Sequence, residues 1–334
     1  MRRTLFALPL IALPLIALMA APLSAKAPVK AARPAAHRST ASTPRPGIEV
    51  SPDIAAAVAD PARKPENSAR DKYRHPAQTL SFFGLKPDMS VIEMLPGGGW
   101  YSEILAPYLA ANGHYVAAVP PGKETDSFQA LLASDTARYG KVQVVPFTAG
   151  QLTDFTPPGT DDLVLTFRNI HNLLGSPDQP GDGNAPQTFA DWYRALKPGG
   201  ILGIEEHRLP EQMDVAREKT TGYVKRSTVI RLAMAAGFQL VAASDVNANP
   251  KDDHDHPKGV WTLPPTYSLG DTDKAKYAAI GESDRMTLKF VKPDPNAPSA
   301  GDTPAPDPNA PAAPPPHLDV QVPADLPSTP QQPQ

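Results

Sequence analysis

The chain contains no cysteine. That excludes disulfides, thiolate metal sites and a lipid-modified cysteine anchor. A chain without disulfides must rely on a packed core, and the middle of this one is long enough to build it. Charge of one sign is lacking too. The 32 Lys and Arg nearly balance the 35 Asp and Glu, for a formal net charge of -3. Nothing in that total points to a nucleic-acid partner. Large aromatics are missing from residues 293–334, a proline-rich stretch that repeats DPNAP at 294–298 and 307–311. Such a stretch buries too little apolar surface to order itself. It reads as a solvated, disordered tail, with a proline-helix ligand as the sharper alternative.

Proline is what the chain has in excess, 42 in 334 residues, where an average protein carries about 5%. The prolines crowd both ends. At the start, Arg2 and Arg3 precede the apolar run LFALPLIALPLIALMAAPL (5–23), and small residues follow in SAKA (24–27). This pattern predicts a signal peptide over 1–27, cleaved after Ala25 or Ala27, and a periplasmic or secreted product. The alternative is a membrane anchor through 5–23, but Pro9, Pro14 and Pro22 disfavour a helix there. Membrane contact is then transient, through the signal peptide. Residues 28–51 read as a basic, extended, disordered linker.

Between the ends, residues 52–292 predict one folded unit in which strand-like and helical runs alternate. Strands are expected at 90–95, 114–119, 141–147, 161–168, 201–207, 238–246 and 284–292. Helices are expected at 100–113, 125–140, 187–196 and 226–237. Strands separated by helices predict an α/β fold with a doubly wound, mostly parallel, seven-stranded sheet. Runs such as LVLTF and VIEML suit strands covered on both faces. The last strand lacks a crossover helix before it and is therefore expected antiparallel.

The run VIEMLPGGGWYSEIL (91–105) is a strand, a glycine turn and a helix. In an open parallel sheet, ligands bind beyond the carboxyl ends of the strands, where such a turn lies. The nicotinamide fingerprint G-x-G-x-x-G fits Gly97 and Gly99, but Ser102 holds its third position. The other pattern is an acidic residue, a hydrophobic one, then G-x-G-x-G. The run resembles this motif of class I S-adenosylmethionine-dependent methyltransferases, with Glu93 as the acid and Leu95 in place of the first glycine. LKPGGILGIEEHR (196–208) and AAGFQLV (235–241) are similar to later parts of that fold. SFFGLKPDMSVIEMLPGGGWYSEILAPYL (81–109), LVLTFRNIHNL (163–173) and NPKDDHDHPKGVWTLP (249–264) resemble a family of predicted bacterial methyltransferases, many of which carry export signals. The resemblance covers most of 68–292.

What the resemblance implies is S-adenosylmethionine as cofactor and a small-molecule substrate, small or lipidic. Cofactor-binding positions would be Glu93, Leu95, Pro96, Gly97, Gly98, Gly99, Trp100, Tyr101 and Pro120. Two positions depart from the pattern. The second strand ends in Val119 and Pro120, where an acid normally holds the ribose. After the third strand stand Thr148 and Ala149, where an acid often meets the adenine.

Candidates for chemistry follow the fourth and fifth strands. Arg168 and Asn169 can orient a substrate, and His171 can serve as a base. Glu206 and His207 end the fifth strand, and alternation lets only one of Glu205 and Glu206 face the ligand side. The run KDDHDH (251–256) has the composition of a metal site, with His254 and His256 as ligands for zinc or nickel. Its spacing is too tight for a rigid site. It reads as a polar loop with Asp caps near the cleft, and no metal is assigned. Trp261 is a lid aromatic or a core residue. Tyr73, Arg74 and His75 lie in a leading segment of the kind that covers the cofactor in this superfamily. The alternative function is a non-enzymatic binding protein on a decayed methyltransferase fold.

Overall fold

The computed structural model describes residues 47–296, apart from the side chain of Glu124. The signal-peptide segment, most of the linker and nearly all of the tail lie outside the described residues. Ser51 accepts a hydrogen bond from the amide of Ile54 and so caps the first helix, Pro52–Val58.

Among the described residues eight strands form: β1 Ser90–Met94, β2 His114–Val119, β3 Gln143–Pro146, β4 Asp161–Phe167, β5 Leu196–Leu209, β6 Val224–Lys225, β7 Gln239–Ser244 and β8 Arg285–Val291. Their order across the sheet is β3-β2-β1-β4-β5-β8-β7, with the short β6 pairing β5 off this path. The first five are parallel neighbours. β8 runs antiparallel to both β5 and β7. This is the expected doubly wound sheet of methyltransferase type, with β6 as one strand more than foreseen. A short helix, Lys274–Ile280, does precede β8. The reversed strand sits between β5 and β7, inside the sheet rather than at its edge.

Alternation along each strand builds two cores. Ile92 and Met94 of β1 face a cluster with Phe189 and Trp192 from the helix Ala185–Ala195. Val91 faces the other way, toward Ile104, Leu105 and Phe83 from the helices Ser102–Leu109 and Pro76–Phe83. Helix ends moved where local chemistry intervenes. The helix expected over 125–140 breaks at Asp135, whose side chain caps a second short helix by accepting from the Arg138 amide. β5 begins at Leu196, which pairs with Asp161 of β4, and Gly199 and Gly200 bond to Lys292 just past β8.

The candidate ligand crevice

Beyond the carboxyl ends of β1 and β4, the backbone makes two unusual bends. Leu95 has φ 53° and Arg168 has φ 60°, both in the left-handed region. For a non-glycine residue this conformation costs roughly 1–2 kcal/mol. Leu95 thus adopts the backbone shape of the glycine it replaces, while its side chain packs against the core.

The three glycines of the turn have different jobs. A Cβ on Gly97 or Gly98 would meet nothing within 4 Å, and both residues line a cavity of about 330 Å³. A Cβ on Gly99 would sit 2.1 Å from Leu131 Cδ2, and its φ is +82°. Gly97 and Gly98 therefore leave room for a ligand, whereas Gly99 leaves room for a helix. Glu93, Leu95, Pro96, Trp100 and Tyr101 also line this cavity. Pro120 lines a second cavity of about 500 Å³ with Phe147, Thr148 and Ala149, and Leu95 and Gly97 belong to both. Eight of the nine residues named from sequence for the cofactor thus border two adjoining cavities, and Gly99 supports them from behind.

Glu93 does not reach out of the strand. It is buried, and its Oε2 accepts from the hydroxyls of Ser102 (2.8 Å) and Tyr115. Burial pushes its carboxyl up to about 7. The acid of the motif therefore locks β1 to β2 and to the helix behind the turn. The second cavity, at the ends of β2 and β3, has no carboxylate among its described lining residues.

A third cavity, about 350 Å³, opens beyond β4 and β5. His171, His207, Trp261 and Ser283 line it, and Arg70, Arg74 and Arg168 line both it and the first cavity. His171 Nδ1 lies 3.1 Å from Glu206 Oε1. Glu206 is fully buried and also accepts from the backbone amides of Ile170, His171 and His207. Glu205, its neighbour, projects to the opposite face and meets Arg168 (3.0 Å), Arg285 (3.2 Å) and Tyr101 (3.1 Å). Both glutamates are thus enclosed, and Glu206 reaches the third cavity only through His171. His207 is held well below the usual histidine range, first by burial and then by His171, Arg168, Arg285 and Arg74. Asn169 ties the turn down rather than projecting freely, donating to the carbonyls of Met94 and Leu95.

Glu282 binds a cluster of arginines: Arg70 at 2.7 Å, Arg74 at 3.0 Å and Arg285 at 3.0 Å. They hold its carboxyl down to about 2 against the opposing effect of burial. Arg74 lies over Trp100, 4.7 Å from the ring centroid, and Trp100 in turn donates to the carbonyl of Asn67. This is how the leading segment is fastened over the turn. Of its three candidates, Arg74 lines the cavities. Tyr73 packs against Gly281, and the His75 ring turns to Asn247. Trp261 is partly exposed and meets the His171 ring edge-on at 5.9 Å, as a wall of the third cavity.

Asn67, Arg70, Glu282 and Ser283 were not legible as site residues. They come from segments without a motif, and only the RDKYR spacing of Arg70 and Arg74, one helical turn apart, hints at a shared face.

Two groups have metal-ligand geometry among the described residues: His171, Glu206 and His207, and Asp252, Asp253 and His256. In the first, His207 is held neutral mainly by burial, and the nearby Arg168, Arg285 and Arg74 oppose a divalent cation as well. In the second, the buried Asp252 carboxylate already accepts from Tyr223 OH, His256 Nε2 and the amides of His254 and Asp284. His254 pairs with Asp284 at 3.1 Å. The Asp/His run thus organises its own loop.

No family model matches the chain, and no curated protein matches it. Solved structures do. A SAM-dependent methyltransferase from Aquifex aeolicus is 15% identical, covering 72% of this chain and 98% of its own, with TM-score 0.46. An arsenic(III) S-adenosylmethionine methyltransferase from Chlamydomonas reinhardtii is 15% identical, covering 73% and 75%, with TM-score 0.41. A SAM-dependent methyltransferase from Methanosarcina mazei is 13% identical, covering 63% and 95%, with TM-score 0.42. The fold itself is assigned by the strand order and the single reversed strand described above.

Proposed function

We propose that the chain is an exported S-adenosylmethionine-dependent methyltransferase that acts on a small or lipidic molecule. The observation that carries this is the open backbone of Gly97 and Gly98 over a cavity at the carboxyl end of β1, where adjacent cavities extend to both sides. A fold alone supports many functions, so the residues must fit the cofactor. At the turn they do: the unobstructed backbone of Gly97 and Gly98 faces Asn67, which suits an amino-acid end. Pro120, Phe147 and Ala149 suit a base by apolar contact. At the ribose the fit is weaker, because Val119 and Pro120 offer no bidentate acceptor.

The cofactor would supply an electrophilic methyl group. The chain's own task is alignment and, where the acceptor carries a proton, its removal. Glu206 can only accept from His171 Nδ1, which leaves Nε2 as the acceptor nitrogen. His171 would then take the proton in the third cavity, with Glu206 as its positioning residue. Trp261 would shield the acceptor from water.

The experiment is calorimetry of the purified chain with S-adenosylhomocysteine. Micromolar binding that is lost on Gly98→Ala is the expected result. No heat at millimolar ligand sinks the proposal. A second reading, a non-enzymatic binding protein, is favoured by one observation, the absence of a carboxylate among the described residues lining the 500 Å³ cavity. Tight binding of a different nucleoside-free metabolite would support it.

A further inference from the structure

Arg70, Arg74 and Arg168 converge where the first and third cavities meet, and Arg285 joins them through Glu205 and Glu282. Two carboxylates, Glu205 and Glu282, pair with all of them. Burying an uncompensated guanidinium is expensive. Yet Arg74 is only 5% exposed and Arg285 1%. The Arg70 guanidinium is also incompletely used. Its Nε binds Glu282, while its Nη2 is buried and has no hydrogen-bond partner among the described residues. Among the described residues Arg74 donates through Nε alone, and its guanidinium lies over Trp100.

From this excess of buried donors and positive charge, resting on the methyltransferase reading, we propose that the acceptor substrate bears an oxyanion, a carboxylate or a phosphate. Arg70, Arg74 and Arg168 bind that group from the third cavity, between His207 and Trp261. Guanidinium groups are suited to this because their forked N–H donors match oxyanion geometry. The surroundings agree. Arg74 is pushed down to about 9 by burial and by the charges of Arg168, Arg70 and Arg285, so an added anion relieves repulsion already present. His207 is neutral there and does not compete as a cation. Glu282, the one acid among the described residues lining the cavity, is occupied by three arginines. Oxyanion binding at one edge would leave the remainder of the acceptor beside His171.

The same arginines border the first cavity, so the cofactor's own carboxylate is the competing occupant. The experiment separates the two. The purified chain is titrated with inorganic phosphate and with succinate at constant ionic strength, with and without saturating S-adenosylhomocysteine, and followed by thermal shift and calorimetry. The expected result is saturable stabilisation by at least one anion that persists when S-adenosylhomocysteine is bound. Arg70→Gln is then expected to weaken the anion about tenfold and S-adenosylhomocysteine less than threefold. Glu282 keeps Arg74 and Arg285 in that variant, so folding should survive. The competition arm needs no variant. If neither anion binds, or if S-adenosylhomocysteine displaces it, the proposal is overturned. Failure of S-adenosylhomocysteine to bind would instead remove the methyltransferase reading, while anion binding would remain measurable by itself.

Discussion

The side-chain amide of Asn169 donates to the carbonyl oxygen of Met94 at 3.0 Å. The bond joins the end of β4 to the end of β1 where the ladder stops, and a second bond to Leu95 (3.3 Å) holds the left-handed bend. Asp at this position could only accept, and it would face two carbonyls. Asn169→Asp should destabilise the fold by about 2 kcal/mol or more. For a domain of this size that lowers the melting temperature by roughly 5 °C. A melting curve that superimposes on the parent's would contradict the role assigned to Asn169.

Adjacent glycines should respond differently. Gly98→Ala has space and an ordinary φ, so its melting temperature should stay within about 1 °C of the parent. Its methyl group would enter the ligand cavity and reduce S-adenosylhomocysteine affinity at least tenfold. Gly99→Ala must move Leu131 and adopt an unfavourable φ. It should cost about 2–4 kcal/mol. Thermal melts and calorimetry on the pair check both halves.

Glu93 and Glu282 make stability depend on pH from opposite sides. Burial raises Glu93 from its ordinary value of 4.5 to about 7. The folded state then holds a proton that the unfolded chain has released. Stability should fall as pH rises from about 4.5 to about 7, by about 3 kcal/mol over the whole range. Glu282 is depressed to about 2, so its contribution is present above pH 4.5 and is lost as pH falls toward 2. Urea unfolding at several pH values measures both. Glu93→Gln should flatten the segment between pH 4.5 and 7. An unchanged slope in that variant would assign the dependence to other groups.

Zinc should add nothing at the His171, Glu206 and His207 group. After treatment with EDTA, the chain should melt at its original temperature, and equimolar zinc should shift it by less than about 1 °C. A saturable stabilisation that disappears in His207→Gln would show that the neighbouring arginines do not keep the cation out.

His171 gives a prediction for turnover with an acceptor. His171→Asn should reduce turnover while leaving S-adenosylhomocysteine affinity within about twofold, since His171 lines the third cavity and not the first. Glu206→Gln should lower turnover and alter its pH profile, because the imidazole loses the partner that fixes its tautomer. Equal losses of cofactor affinity in both variants would place His171 elsewhere.

The local parts of this molecule were legible in the chain. Apolar strand runs, glycine stops and the turn at 96–99 depend on neighbours within a few residues, and period and turn chemistry report on those directly. They located β1 to β5 and the cavity-lining Glu93, Leu95, Pro96, Gly97, Gly98, Trp100 and Tyr101. Even there, tertiary contacts assigned the roles. Gly99 serves Leu131, a helix residue some thirty positions on, and Glu93 serves Tyr115 on the next strand. Neither partner is implied by the motif.

The arginine cluster was decided wholly by the tertiary structure. Arg70 and Glu282 are 212 residues apart in sequence and 2.7 Å apart in space. No periodicity connects them, because a long-range ion pair leaves no local pattern. The sequence by itself determined a methyltransferase-type sheet and the turn at which a ligand would lie. Packing of the leading segment and the residues before β8 onto the ends of β4 and β5 decided the charge that ligand would meet.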